Sequence, residues 1–329
     1  MENYIKRSTY EVGLGDSAEL ISQNIKENSV HAVVTDPPYG ISALNLDWDK
    51  TLPPSKIWEE CFRVLRPGGF LLAFGHTRLY HRLACQLEDV GLIIKECLCW
   101  AYASGFPRSY NIGAAMDKEG CAESDTWEGW GTQLKTSWEP IVMAQKPIEV
   151  SYLHNIKKWK VGALNIDECR IPYASEEDKK SLESFLHFTE TDHGDAKYFS
   201  ANEGNRKQVN VHPDGRWPAN LLWLDPLFAD YDRFFMIPKP SPKEKRMYNE
   251  HETVKPVRIM EQLIKLVTPK SSVIKENVVV LDPFMGSATT GRACRSLKRF
   301  FIGYEINPDS FEIAKKRLRE SVRQDIGEI

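Results

Sequence analysis

The apolar run Val30–Thr35 stops against two consecutive prolines, in Asp36-Pro37-Pro38-Tyr39-Gly40. Proline has a fixed φ and no backbone N–H, so a central strand cannot continue through the pair. The chain must turn there, and the turn carries a carboxylate, two rigid carbonyl-bearing residues and an aromatic ring. A second apolar run, residues 278–281, also ends in a turn, Asp282-Pro283-Phe284-Met285-Gly286-Ser287-Ala288-Thr289-Thr290. Helical periodicity occupies 55–65 (Ile57, Trp58, Cys61, Phe62, Leu65), 80–90, 256–267 (Val257, Met260, Leu263, Ile264, Val267), 290–297 and 309–321. Short apolar strands fall at 70–74, 92–100 and 300–304. Strands alternating with helices predict βαβ units, and so a doubly wound α/β fold with a mostly parallel sheet.

From residue 101 to 235 the periodicity weakens, and Trp127, Trp130, Trp138, Trp159, Trp217 and Trp223 stand among Gly, Pro and polar residues. The reading is therefore two halves of one core, 1–105 and 236–329, around a loop-rich inserted lobe at 106–235. Residues 174–215 read as exposed loop, with a short helix near 176–188.

Each strand-ending turn carries its own chemistry. At 282–291 a strand feeds a small-residue loop and then a helix, where Gly286 allows close backbone approach and the helix N-terminus favours an anion. Neither GxGxxG nor a Walker loop is present, which argues against a nucleoside triphosphate. Glu305 ends the next strand, about twenty residues beyond Gly286, placed to accept bonds from ribose hydroxyls. Loop and acid together indicate a nucleoside cofactor. At 36–39, Asp36 and the free carbonyl of Pro37 can each accept one hydrogen of an exocyclic NH2, while Tyr39 offers a flat face to a planar ring. Two accepted hydrogens draw the nitrogen lone pair out of conjugation and make it a nucleophile.

These residues resemble the S-adenosylmethionine-dependent DNA methyltransferases of bacteria and phage that modify exocyclic amino groups. Asp36-Pro37-Pro38-Tyr39 matches their catalytic motif. Asp282-Pro283-Phe284-Met285-Gly286-Ser287 matches their cofactor loop, with Ala288 in place of a second glycine. Gly303-Tyr304-Glu305 resembles the ribose-binding segment, and His251-Glu252-Thr253-Val254-Lys255-Pro256 resembles the helix-start motif flanking the cofactor's methionine end. Leu14-Gly15-Asp16 resembles the segment before the catalytic strand. The order, catalytic before cofactor motifs, is that of the permuted beta group.

The resemblance implies a Rossmann-like core with a target-recognition lobe, S-adenosylmethionine as cofactor and no metal. Asp36, Pro37, Pro38 and Tyr39 become the catalytic residues. Asp16, Asp36, Lys255, Asp282, Pro283, Phe284, Gly286, Ser287, Thr289, Thr290 and Glu305 become the cofactor set. Asp at the first catalytic position usually accompanies adenine in this family, with N4-cytosine as the alternative. Double-stranded DNA is the expected partner, with a second copy of the chain and a cognate restriction endonuclease as further expectations. Phe106, Arg108, Arg170, Arg206 and Arg216 are the candidate DNA contacts of the lobe.

Composition bears on the rivals. Net charge is −3, but residues from Met236 onward carry 18 Lys+Arg against 12 Asp+Glu, net +6, leaving −9 for the remainder. A phosphate-facing surface should then draw on the C-terminal quarter. The seven cysteines are odd in number and scattered, and Cys97 and Cys99 read as buried thiols rather than a zinc pair. No cysteine follows a proline, which disfavours C5 methylation of cytosine through a thiolate. The absence of a long apolar run or N-terminal h-region leads us to expect a cytoplasmic protein outside any membrane. The remaining alternatives are an RNA or protein-amide methyltransferase with the same kind of turn, and a DNA-binding module without activity.

Overall fold

A computed structural model describes residues 3–42, 47–102, 107, 109–173, 175–181, 211–223, 235–236 and 255–319. Phe106, Arg108, Arg206 and 251–254 lie outside the described residues. The strands are β1 (Tyr4–Lys6), β2 (Tyr10–Leu14), β3 (Val30–Thr35), β4 (Leu65–Phe74), β5 (Ile93–Ala101), β6 (Trp138–Gln145), β7 (Leu221–Trp223), β8 (Phe235–Met236), β9 (Val279–Asp282) and β10 (Phe300–Glu305). They form one sheet in the order β1-β2-β10-β9-β3-β4-β6-β5-β7-β8. Among these strands β1 and β6 run against the rest, since each pairs antiparallel with its neighbours. The mostly parallel α/β architecture expected from the alternating pattern is present.

The helices are α1 (Ser17–Asn24), α2 (Ser55–Val64), α3 (Tyr80–Asp89), α4 (Ile112–Lys118), α5 (Tyr152–Trp159), α6 (Val257–Val267), α7 (Ser271–Ile274), α8 (Thr289–Ser296) and α9 (Pro308–Arg319). The two-residue period of β3 feeds two cores. Ala32 and Val34 join Leu263 and Ile264 of α6 and Phe311 of α9. Val33 faces the other way, toward Ile21 of α1, Trp58 and Cys61 of α2 and Leu83 of α3. In α2, the buried Ile57, Trp58, Cys61 and Val64 recur at helical spacing.

Two local readings change. The strand read at 70–74 begins earlier: Arg66-Pro67-Gly68-Gly69, just beyond the end of α2, already belongs to β4. A register shift opposite Val30–Ala32 lets it join the sheet. Within 106–235, β6 inserts between β4 and β5 because Ile141-Val142-Met143-Ala144 is buried on both faces. That range therefore supplies core strands as well as a lobe. Ala101 at the end of β5 pairs with Trp138 at the start of β6. Cys97 and Cys99 are only half-buried on β5.

At the opposite edge from these turns, His31 of β3 is fully buried and its Nδ1 accepts from the Val279 amide at 3.0 Å. Its Nε2 lies 3.3 Å from Glu276, which Arg66 also holds at 2.7 Å. Burial first, and the charge of Arg66 second, push the imidazole pKa down to about 4.

Trp58 is fully buried, its indole N–H reaches Gln86 at 3.3 Å and its ring lies 5.9 Å from Phe284. Trp58→Ala should cost about 3–5 kcal/mol of unfolding free energy. Urea denaturation followed by circular dichroism measures it, and a loss under 1 kcal/mol would contradict this packing.

Candidate active site

Strands β3 and β9 lie side by side and parallel, pairing Ala32 with Val280 and Val33 with Leu281. Both prolyl turns therefore leave the sheet at the same edge. The junction is sealed by a hydrogen bond from Thr35 Oγ1 to Asp282 Oδ1 at 2.6 Å, across 247 residues of sequence. Asp282 is buried. Its Oδ1 also accepts from the Phe284 amide at 3.0 Å, and its Oδ2 accepts from Thr290 Oγ1 at 2.6 Å. Burial pushes its carboxyl up to about 6, against the hydroxyl and amide donors that favour the anion.

The loop that follows is shaped from within. Ser287 and Thr289 are buried and both accept from Arg317, itself buried in α9, with Arg317 Nη1 2.7 Å from the Ser287 carbonyl and 3.4 Å from Thr289 Oγ1. The Pro283 carbonyl accepts from Ser17 Oγ of α1. The resemblance places Asp282, Ser287, Thr289 and Thr290 among cofactor ligands, yet in the structure their side chains are turned to protein partners that fix the loop. Phe284 and Gly286 are its half-buried members. Gly286 has φ +50° and its amide donates to Glu305 Oε2 at 2.9 Å, so the loop and the acid at the end of β10 form one unit. Glu305 Oε1 also accepts from the Asn307 amide at 2.8 Å. Each carboxylate oxygen has two lone pairs, so these bonds leave acceptor capacity for a diol. Asp16 is exposed at the same rim. It caps α1 by accepting from the Glu19 amide at 3.0 Å, while Gly15 beside it donates to the Glu305 carbonyl at 2.8 Å. Ala288, where a glycine was expected, adopts a left-handed φ of +62° and is fully buried. That conformation costs an alanine about 1 kcal/mol.

The Asp36 turn is held by a residue that no motif marked. Asp49 is buried, and its Oδ1 accepts from the amides of Tyr39 at 2.6 Å and Gly40 at 3.0 Å. Tyr39 OH lies 2.8 Å from Asp36 Oδ1 and 2.9 Å from Glu139 Oε2. Lys255, just before α6, places its ammonium 2.7 Å from Asp36 Oδ2, 3.0 Å from Tyr39 OH and 3.3 Å from Glu139 Oε2. It sits 5.0 Å from the ring centre of Phe74, 5.3 Å from Tyr39 and 5.9 Å from Trp100. Burial works against its charge, but Asp36 and Glu139 outweigh it and raise its pKa above the ordinary value. Burial, followed by the two carboxylate charges, raises the Tyr39 phenol well above its usual range and keeps it protonated. The resemblance sets Lys255 beside the cofactor's methionine end; here it neutralises Asp36. Glu139, Phe74, Trp100 and Asp49 escaped the sequence reading. Glu139 left one trace, as the polar member of Trp138-Glu139-Pro140 beside an apolar strand.

In the lobe, Arg170 bonds Asp167 and the Gly215 carbonyl and lies 5.8 Å from the Trp217 ring. Arg216 pairs with Asp178 and lies 5.5 Å from the Tyr173 ring. Both tie the lobe together.

Two prolyl turns thus meet at one sheet edge, and comparison with known proteins gives the family. A family model described as DNA methylase matches residues 30–316. The chain belongs to this DNA methylase family. The methylase is 26% identical to the type II methyltransferase M.HindIII of Haemophilus influenzae, over 90% of this chain and 91% of that one. It is 24% identical to M.HpaI of Haemophilus parainfluenzae, over 90% and 70%. The solved PvuII DNA methyltransferase, described as cytosine-N4-specific, shares the fold at a TM-score of 0.52 and 16% identity, over 97% of this chain and 90% of that one. The methyl donor of the present chain, as a DNA methylase, is S-adenosylmethionine. The Gly286–Glu305 unit fits the nucleoside of that donor, and the aromatic and carboxylate cage around Lys255 is a setting that stabilises positive charge. Among the described residues no helix is long and apolar enough to cross a membrane.

The two buried titrating groups oppose each other. His31 titrates near 6.5 when unfolded, so the stability it contributes as a neutral ring is lost as pH falls from 6.5 toward 4. Asp282, raised from 3.8, contributes stability in acid that is lost as pH rises through about 6. Asp282→Asn should therefore steepen the loss of stability between pH 6 and 4, and His31→Gln should make it shallower, as read from urea midpoints. Ala288→Gly should leave the melting temperature unchanged or a few degrees higher, whereas Ala288→Val should cost roughly 2 kcal/mol or more.

Proposed function

We propose that the methylase transfers a methyl group from S-adenosylmethionine to the exocyclic N6 of an adenine turned out of double-stranded DNA at a specific sequence. The single observation that carries this reading is the position of the Asp36 turn against the Asp282 loop, sealed by the 2.6 Å Thr35–Asp282 bond. An acceptor for the amine and a cradle for the donor then meet at one edge, where open parallel sheets bind ligands.

In this reading Asp36 and the Pro37 carbonyl accept the two amine hydrogens and release the nitrogen lone pair. The adenine stacks on Tyr39. The donor supplies an electrophilic methyl on a sulfonium. As the N–C bond forms and the C–S bond breaks, sulfur keeps the bonding pair and the nitrogen becomes positive. The negative charge of Asp36 stabilises that ammonium and receives its proton. No covalent enzyme intermediate is needed. The aspartate at the first catalytic position supports adenine over cytosine.

For the target, the exposed Trp130 and Tyr110 of the inserted lobe supply stacking surface. Phe106, Arg108, Arg170, Arg206 and Arg216 remain our candidate contacts to DNA. The type II methyltransferase names of the relatives support a restriction-modification role; a cognate endonuclease and a second copy of the chain are the partners we propose.

Asp36→Ala should reduce transfer at least 1,000-fold while donor affinity stays within about threefold. Plasmid DNA incubated with labelled donor, then digested to nucleosides for mass spectrometry, should yield N6-methyladenine. N4-methylcytosine instead would overturn the choice of base, and turnover by Asp36→Ala would overturn the acceptor role.

A further inference from the structure

Two carboxylates share one ammonium at the catalytic corner. Lys255 directs its three hydrogens toward Asp36 at 2.7 Å, Tyr39 OH at 3.0 Å and Glu139 at 3.3 Å. In this arrangement the charge of Asp36 is already compensated: Oδ2 faces Lys255 and Oδ1 faces Tyr39. A target amine can still reach a remaining lone pair of Asp36, but an Asp36 neutralised by lysine is a poor partner for a developing ammonium. Lys255 cannot escape cheaply to water. Its side chain is 10% exposed, and Phe74, Tyr39 and Trp100 surround it. Burying an ammonium without a counter-charge is costly.

We propose that Glu139 is a positioning residue for methyl transfer: it takes over the Lys255 ammonium when the target amine engages Asp36, so that the Asp36 charge is released to the substrate. Glu139 suits this task by placement. It stands on β6, an element separate from the Asp36 turn, so it does not move with that turn. Its Oε1 accepts from Tyr102 OH at 3.3 Å, which fixes the carboxylate while Oε2 faces the lysine. A shift of roughly half an ångström brings the ammonium to ordinary charge-assisted bonding distance of Glu139. Tyr39 OH, within reach of both carboxylates, can turn its single hydrogen to whichever one the lysine leaves.

The inference rests on Asp36 as the amine acceptor. The test uses the full chain with a duplex containing its methylation site and labelled S-adenosylmethionine. Glu139→Gln leaves Lys255 with Asp36 as its one anionic partner among the described residues. It should lower kcat/KM for DNA at least tenfold while calorimetric donor affinity, which also reports folding, is unchanged. Adding Lys255→Met removes the competing cation, so the double variant should recover several-fold over Glu139→Gln. If Glu139→Gln does not fold, Glu139→Asp carries the same comparison with and without Lys255→Met. A double variant no faster than the single one, or a Glu139→Gln enzyme at the parental rate, overturns the proposal. Turnover by Asp36→Ala removes the ground for both readings. An inactive Asp36→Ala alongside a fully active Glu139→Gln removes this one alone.

Discussion

The site depends on the lateral pairing of β3 with β9. These strands come from opposite ends of the chain, and nothing local holds them together. Their adjacency rests on burial of Val33, Val34, Val280 and Leu281, on the imidazole of His31 at one end and on the Thr35–Asp282 bond at the other. The carboxylate of Asp282 is the joint. It satisfies the hydroxyl of the catalytic strand, the amide that starts the cofactor loop and the hydroxyl that starts α8. A buried group with both its oxygens engaged restricts geometry more than it adds stability, because leaving any of those donors unpaired costs more than the bond itself returns. The distance between the two corners is thereby set by the core and not by the loops.

Electrostatics at the corner follow from the same construction. Three parallel strands and one antiparallel strand deliver Asp36, Phe74, Trp100 and Glu139 to a common point, and Lys255 arrives from the segment before α6. The resting pocket is thus charged but compensated. In the proposed reaction, a region that stabilises positive charge on a substrate nitrogen already stabilises one on lysine.

Much of this was legible in the sequence because it is written in local chemistry. Paired prolines after an apolar run announce a turn, and strand–loop–helix with an acid at the next strand end announces a nucleoside cradle. The alternation of periods gave the α/β class and placed most helices to within a residue or two. What escaped has a common physical cause: it depends on register between distant segments. Glu139 matters only because β6 pairs with β4 and β5, and nothing in Trp138-Glu139-Pro140 reveals that pairing. Asp49 caps the turn of Tyr39 from ten residues away, through a loop with no motif. Pro67-Gly68-Gly69 lies beyond the end of α2 as its residue types suggest, yet it joins β4 through a register shift that no local pattern reveals. Lys255 was legible as a motif member, but its partner was not, since residue type says nothing about which carboxylate lies 2.7 Å away.

The antiparallel course of β6 has a consequence for how such a protein changes its target. Because β5 ends and β6 begins at one pair of facing residues, Ala101 and Trp138, the intervening stretch leaves and re-enters the scaffold at a single doorway beside the catalytic corner. Replacing that stretch by another of different length perturbs no strand order and adds little closure entropy, since the penalty grows only with the logarithm of length. That stretch is in this sense a removable cassette at the start of the inserted lobe, while the strands around it form the frame that receives it.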